Sequence, residues 1–94
     1  MIYLASPYSH PDPRVRVQRF RSACRAAATL LRAGHAVFSP IVHSHPLVRH
    51  GLPTHWRFWE AFDRKHIERC DEVAVLTIDG WKTSMGVKPL GISV

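Results

Sequence analysis

The chain opens on a short apolar run, Ile2 to Ala5, that meets a polar, proline-containing turn at Ser6-Pro7-Tyr8-Ser9. A run of this kind bounded by turn residues reads as a buried strand. A long helical pattern follows, so it is expected to be the central strand of a parallel sheet. Asp12 and Pro13 form an N-cap and first-turn pair, predicting a helix from about Pro13 to Arg32. Val17, Phe20, Cys24, Ala27, Ala28 and Leu31 recur at helical spacing as its buried stripe, and Arg14, Arg21, Arg25 and Arg32 lie away from it. Gly34 suits the residue just past the helix end. Ala36 to Ser39 reads as a second strand that ends at Pro40 and opens into the rim of the sheet through Ile41 to Pro46. Together these segments make a right-handed βαβ unit.

Residues 46 to 54, with Pro46, Gly51 and Pro53, read as a loop, and Thr54 as the cap of a helix from about His55 to Arg69. The apolar stripe of that helix runs through Trp56, Trp59, Ile67 and Cys70. Asp63 falls on the same stripe, four residues after Trp59 and four before Ile67. A carboxylate on a buried face is costly unless it is paired or used chemically. The bland alternative is that it only anchors packing against an amide or an arginine. Val73 to Ile78 is a continuous β-branched and aliphatic run, as expected of a parallel strand covered on both faces. Asp79-Gly80-Trp81 is a turn at its carboxyl end. Ser84 to Val87 could open a further helix, which Pro89 and Gly91 discourage.

The fold class that follows is α/β with a small parallel sheet. In such sheets the ligand crevice lies beyond the carboxyl ends of the strands. That rim would collect Ser6, Pro7, Tyr8, His43, His45, Asp79, Gly80 and Trp81, with Tyr3 on the floor and Asp63 entering from a helix. Hydroxyls, imidazoles, carboxylates and flat rings suit a small polar ligand with an aromatic ring, such as a nucleobase or nucleoside. Four histidines, His43, His45, His50 and His55, raise zinc as a competing idea, but no cysteine joins them, and loop or ligand-contact roles are preferred. There is no Walker loop, dinucleotide fingerprint or nucleophile elbow.

At 94 residues the chain is one domain, small for this architecture, so a second copy could complete its core. No apolar run approaches the length of a membrane span, and no basic segment precedes an apolar core, so neither a membrane partner nor a secretory leader is expected. Cys24 and Cys70 fall in helical patterns without metal or redox spacing and read as buried, reduced thiols of a cytoplasmic protein. The formal charge of +6 raises an anionic partner. The arginines spread over a helix without interleaved aromatics, which favours a basic solvated surface and makes nucleic acid an unlikely partner.

Several segments together resemble the nucleoside 2-deoxyribosyltransferases, and more closely a short branch of that superfamily. They are Ile2 to Tyr8, Phe38 to His45, Trp59 to Asp63 with Ile67, Cys70 and Asp71, and Asp79-Gly80-Trp81 followed by Ser84-Met85-Gly86-Val87. The resemblance implies a flavodoxin-like, Rossmann-like three-layer sandwich and cleavage of an N-glycosidic bond through a covalent glycosyl intermediate on a glutamate, without cofactor or metal. It assigns Tyr3 to orienting that glutamate and Asp63 to proton donation at the base. Asp79 matches a second base-contacting acid more loosely, and Ser84 falls in the substrate-binding segment. The glutamate's position is occupied by Leu90, and no Asp or Glu occurs from Gly80 to Val94. The following helix and strand of the pattern are missing, so a C-terminally truncated version of the fold is expected. Three functions stay open. One is N-glycosidic cleavage or deoxyribosyl transfer on a nucleoside or nucleotide, for which a homo-oligomer is plausible. The second is a module that keeps the nucleoside pocket without the chemistry. The third is a basic nucleic-acid-binding domain.

Overall fold

A computed structural model describes residues 1–83. The elements run β1 (Ile2–Ala5), α1 (Pro13–Arg32), β2 (Val37–Phe38), α2 (Pro40–Val48), α3 (Trp56–Ile67) and β3 (Glu72–Val75). The three strands form one parallel sheet in the order β2-β1-β3. β1 is central: Ile2 and Tyr3 pair with Val37 and Phe38, and Ile2 to Ala5 pair with Glu72 to Val75. All four β1 residues are buried, as an apolar strand flanked on both sides requires.

The strand order places the helices. The chain steps from β1 to β2 in one direction, then back across β1 to β3. Two right-handed crossovers of opposite direction put their helices on opposite faces. Tyr3 and Ala5 face α3 and pack with Phe38, Ile67, Cys70, Val75 and Trp81. Ile2 and Leu4 alternate to the other face, where the first crossover carries α1 with Ala23 and Ala27 buried. The result is a small α/β sandwich of the flavodoxin-like kind.

α1 begins and ends where the sequence predicts. The Asp12 carboxylate accepts from the Arg14 amide at 2.9 Å, and Pro13 occupies the first turn. Its buried stripe is shifted, however. Ala23 and Ala27 are its buried residues, while Leu31 is 56% exposed, because the helix outruns the two-residue strand β2 beside it.

The largest departure is α2. The segment expected to enter the rim as extended chain and loop is a nine-residue helix. Ser39 caps it, its hydroxyl accepting from the Val42 amide at 3.3 Å, and Pro40 sits in the first turn. Pro46 lies inside this helix, near its end, and the Ser44 hydroxyl donates to the Pro40 carbonyl. Three boundaries also move. β2 shrinks to Val37–Phe38 because α2 starts at Pro40. α3 is capped by His55 without a side-chain bond, and the Thr54 carbonyl instead accepts from the Ser9 hydroxyl at 3.1 Å. β3 is Glu72–Val75 because β1 ends at Ala5, the last residue it can pair with; the Leu76 amide closes the ladder on the Ala5 carbonyl at 2.8 Å. Cys24 and Cys70 are free thiols, half-buried rather than buried. No described helix is long and apolar enough to cross a membrane. The expectations for Ser84 to Val87 and for Leu90 lie outside the described residues.

Candidate functional site

The carboxyl ends of the strands open into a pocket of about 260 Å³. That is a little below the usual range for ligand pockets. Five segments build it: β1 and the loop after it, the start of α1, the first turns of α2, the first half of α3, and the turn after β3.

Tyr3 and Asp63 form its inner part. Tyr3 lies on β1, where strand alternation turns it toward α3, and it is 3% exposed. Asp63 comes from the middle of α3 and is the buried residue of that helix, 8% exposed. Its Oδ1 is buried with no hydrogen-bond partner among the described residues. A buried carboxylate without a donor is stabilised in its protonated form. Burial raises the Asp63 pKa from 3.8 to about 6, against a smaller opposing effect of His66. Burial, and then the nearby Asp63, likewise push the Tyr3 phenol far above its ordinary value. Tyr3 is therefore a neutral hydroxyl at any physiological pH.

Trp56 and Trp59 line the same pocket. They stand three apart on α3, so they share a helix face with Asp63. The Trp59 indole donates to the Pro53 carbonyl at 2.8 Å, which holds the ring in place. An aromatic wall beside a protonatable carboxyl is suited to a flat heterocycle: the rings stack and the acid meets a ring nitrogen.

The opposite segments bring hydroxyls and positive charge. Ser6 is buried, and its Oγ also lacks a partner among the described residues. Arg19 reaches from α1 across the pocket mouth. It donates to the Ser9 carbonyl at 3.0 Å and to the Asp79 carbonyl at 3.2 Å. Two backbone tethers fix the guanidinium without neutralising it, and no carboxylate among the described residues lies within ion-pair distance. Gly80 makes room for it. Gly80 has φ +91°, and a Cβ there would stand 2.5 Å from Arg19 Nη2.

The structure sorts the rim residues expected from sequence. Tyr3, Ser6, Tyr8, Asp63 and Gly80 line the pocket together. Pro7 is fully buried beneath the rim and does not line it. His45 stands behind Tyr8, bonded to its hydroxyl and stacked on Phe20 at 4.3 Å, because α2 turns it inward. His43, on the same helix, stacks on Phe62 with ring centroids 5.1 Å apart and lies outside the lining. Trp81 packs into the Tyr3–Ala5 core, and Asp79 offers its carbonyl to Arg19 without lining the pocket. Ser84 lies outside the described residues. The four histidines considered for zinc do not assemble: among the described residues no three His, Cys, Asp or Glu side chains come together as a metal site.

Sequence reasoning missed Arg19, His10, Ser44 and Thr54, which also line the pocket, and took Trp56 and Trp59 for core. For the tryptophans the signal was present, since they share a stripe with the anomalous Asp63. For Arg19 none was, because its role depends on the turn after β3, 60 residues away.

Comparison with curated proteins finds no match. A family profile does match, over residues 1–90, which is nearly the whole chain and includes every pocket segment described above. The chain therefore belongs to the family described as domain of unknown function (DUF1937).

Proposed function

We propose that this pocket takes a nucleoside or nucleotide and that the protein cleaves its N-glycosidic bond, with Asp63 as the general acid. The observation that carries the reading is the buried Asp63 carboxyl, with an oxygen that has no partner among the described residues, beside Trp59 in the pocket. The resemblance of Ile2 to Tyr8, Phe38 to His45 and the Trp59–Asp63 segment to the nucleoside 2-deoxyribosyltransferases supports it, as does the proton that Asp63 retains up to about pH 6.

The base stacks on the tryptophans, and the Asp63 carboxyl gives its proton to a base nitrogen as the C1′–N bond breaks. Water adds its hydroxyl to C1′ and returns a proton to the Asp63 carboxylate, so free base and free sugar leave and the acid is restored. Tyr3 supplies a neutral hydroxyl beside the reacting carbon. Asp63 is the only carboxylate among the described lining residues, so the described pocket offers water, not a second acid, as the sugar acceptor. The same fact favours the alternative, a module that binds the nucleoside without turning it over. Arg19, with Ser6, Ser9 and His10 on its side of the pocket, suits a phosphate on the sugar. The setting we propose is cytoplasmic and homo-oligomeric; the free thiols and the exposed Leu31, Phe58 and Val73 support it.

The test is release of free base, followed by chromatography, from 2′-deoxynucleosides and their 5′-monophosphates. General-acid catalysis of this kind contributes about a hundredfold or more, so Asp63→Asn should lower release by at least that factor. Saturable binding without base release would leave the binding module. Neither binding nor release would refute both readings.

A further inference from the structure

Tyr8 and His45 form a pair that the chemistry above does not use. Both are 8% exposed, and the phenol oxygen and His45 Nδ1 are 2.7 Å apart. Tyr8 belongs to the loop after β1 and lines the pocket; His45 belongs to α2 and does not. The two rings meet edge to face at 5.5 Å, and Phe20 of α1 stacks on the other side of the imidazole. The imidazole is thus clamped, and one nitrogen is committed to the phenol.

We propose that His45 is a positioning residue that sets which hydrogen-bond polarity Tyr8 shows to the ligand, and that in its neutral form it selects a ligand group that donates. The proposal rests on the pocket being a ligand site, as read above. With His45 neutral and its hydrogen on Nε2, Nδ1 is an acceptor and takes the phenol hydrogen. The phenol oxygen then has only lone pairs to offer the pocket. With His45 protonated, Nδ1–H donates to the phenol oxygen, and the phenol hydrogen is released toward the ligand. One proton on the imidazole therefore inverts the polarity of a group on the pocket wall.

The charged groups facing His45 favour the neutral form. Burial, Arg49 at the C-cap of α2 and Arg16 of α1 all lower its pKa, in that order, and no carboxylate faces it among the described residues. Tyr8 is the titratable group facing it from the β1–α1 loop; burial pushes its ionisation up, against the charge of Arg16 and a side-chain hydrogen bond from Arg16, which takes up one acceptor site of the phenol oxygen and leaves the other for the ligand. At neutral pH the imidazole is therefore neutral, and with its hydrogen on Nε2, as proposed, the phenol is the donor and Nδ1 the acceptor. Tyr8 is followed directly by Ser9, whose carbonyl accepts from Arg19 and whose hydroxyl donates to the Thr54 carbonyl ahead of α3. The Asp63 carboxyl and the tryptophans that we assign to the base stand on α3, so the donating group we assign to Tyr8, on a different element, is a hydroxyl of the sugar.

Two measurements separate this inference from the pocket reading. Long-range proton–nitrogen NMR of the histidine rings, with His45 assigned by His45→Asn, should show the Nε2–H tautomer at pH 7.5 and a His45 titration midpoint below the ordinary imidazole value. A Nδ1–H tautomer would overturn the inference outright. The second compares binding of 2′-deoxyadenosine and 2′,3′-dideoxyadenosine, which lacks the 3′-hydroxyl. The wild type should prefer the first by about five- to tenfold, the worth of one hydrogen bond, and Tyr8→Phe should bind the two alike. The preference should shrink in the wild type as pH falls through the His45 midpoint found by NMR, but not in His45→Asn, whose side-chain carbonyl accepts without titrating. If His45→Asn fails to fold, Tyr8→Phe and the wild-type NMR decide alone. Equal binding of the two probes by the wild type would refute the sugar assignment. The expected tautomer without binding of either probe would uphold the pair and refute the nucleoside reading.

Discussion

Replacing Asp63 by Asn should change how stability depends on pH in a direction set by burial. The native carboxyl titrates near 6 against 3.8 in an exposed chain. Well below pH 3.8 both states hold the proton, and the acid costs the fold nothing. As pH rises through 6, the unfolded chain has already released its proton while the native pocket must ionise a buried group. Stability present at low pH is therefore lost as pH rises. A shift of about two units corresponds to roughly 3 kcal/mol, which is a large share of the stability of a domain this small. Asn removes the titration but leaves a buried amide with an unpaired polar atom, costing about 1–2 kcal/mol. The variant should accordingly be slightly less stable than wild type at pH 4 and as stable or more stable at pH 8. Urea unfolding of both proteins at pH 4, 5, 6, 7 and 8 measures this directly. The difference between the two curves isolates Asp63, because every other titrating group is shared. Curves that stay parallel from pH 4 to 8 would show that Asp63 is solvated or paired, and the protonated acid at the centre of the proposed chemistry would be lost with it.

Other outcomes follow from the same geometry. Base release should fall as pH rises above about 6, since the protonated form of Asp63 is the active one; a rate that climbs through that range would contradict its role as acid. Gly80→Ala should cost about 1 kcal/mol through its positive φ and push Arg19 off its tethers, so 5′-monophosphate binding should weaken more than nucleoside binding in calorimetry. Ser39→Ala should destabilise the protein by about 1 kcal/mol through loss of the α2 cap, seen as a lower urea midpoint at unchanged slope.

The two caps show what could be read in the chain and what was overlooked. Asp12-Pro13 and Ser39-Pro40 are the same signal, a short polar acceptor followed by a first-turn proline, and both start helices. The first precedes twenty residues of clear periodicity; the second precedes nine residues containing three β-branched side chains and an internal proline, where local preference argues against a helix. Tertiary contact overrides that preference: Phe20 of α1 stacks on His45, and Tyr8 bonds it. His43 and His45 show the consequence. Two residues apart, they would share a face in extended chain, but on a helix they diverge, one to Phe62 and one to Tyr8.

Local pattern was enough for the parallel sheet, the long first helix and the burial of a carboxylate on the α3 stripe, because each follows from spacing along one segment. The pocket wall was decided in three dimensions. Arg19 is held by carbonyls of Ser9 and Asp79, Gly80 is a glycine because Arg19 passes over it, and Ser6 lies buried with its hydroxyl unpartnered among the described residues. No spacing rule encodes such contacts, since they join segments whose separation in sequence bears no relation to their distance in the fold.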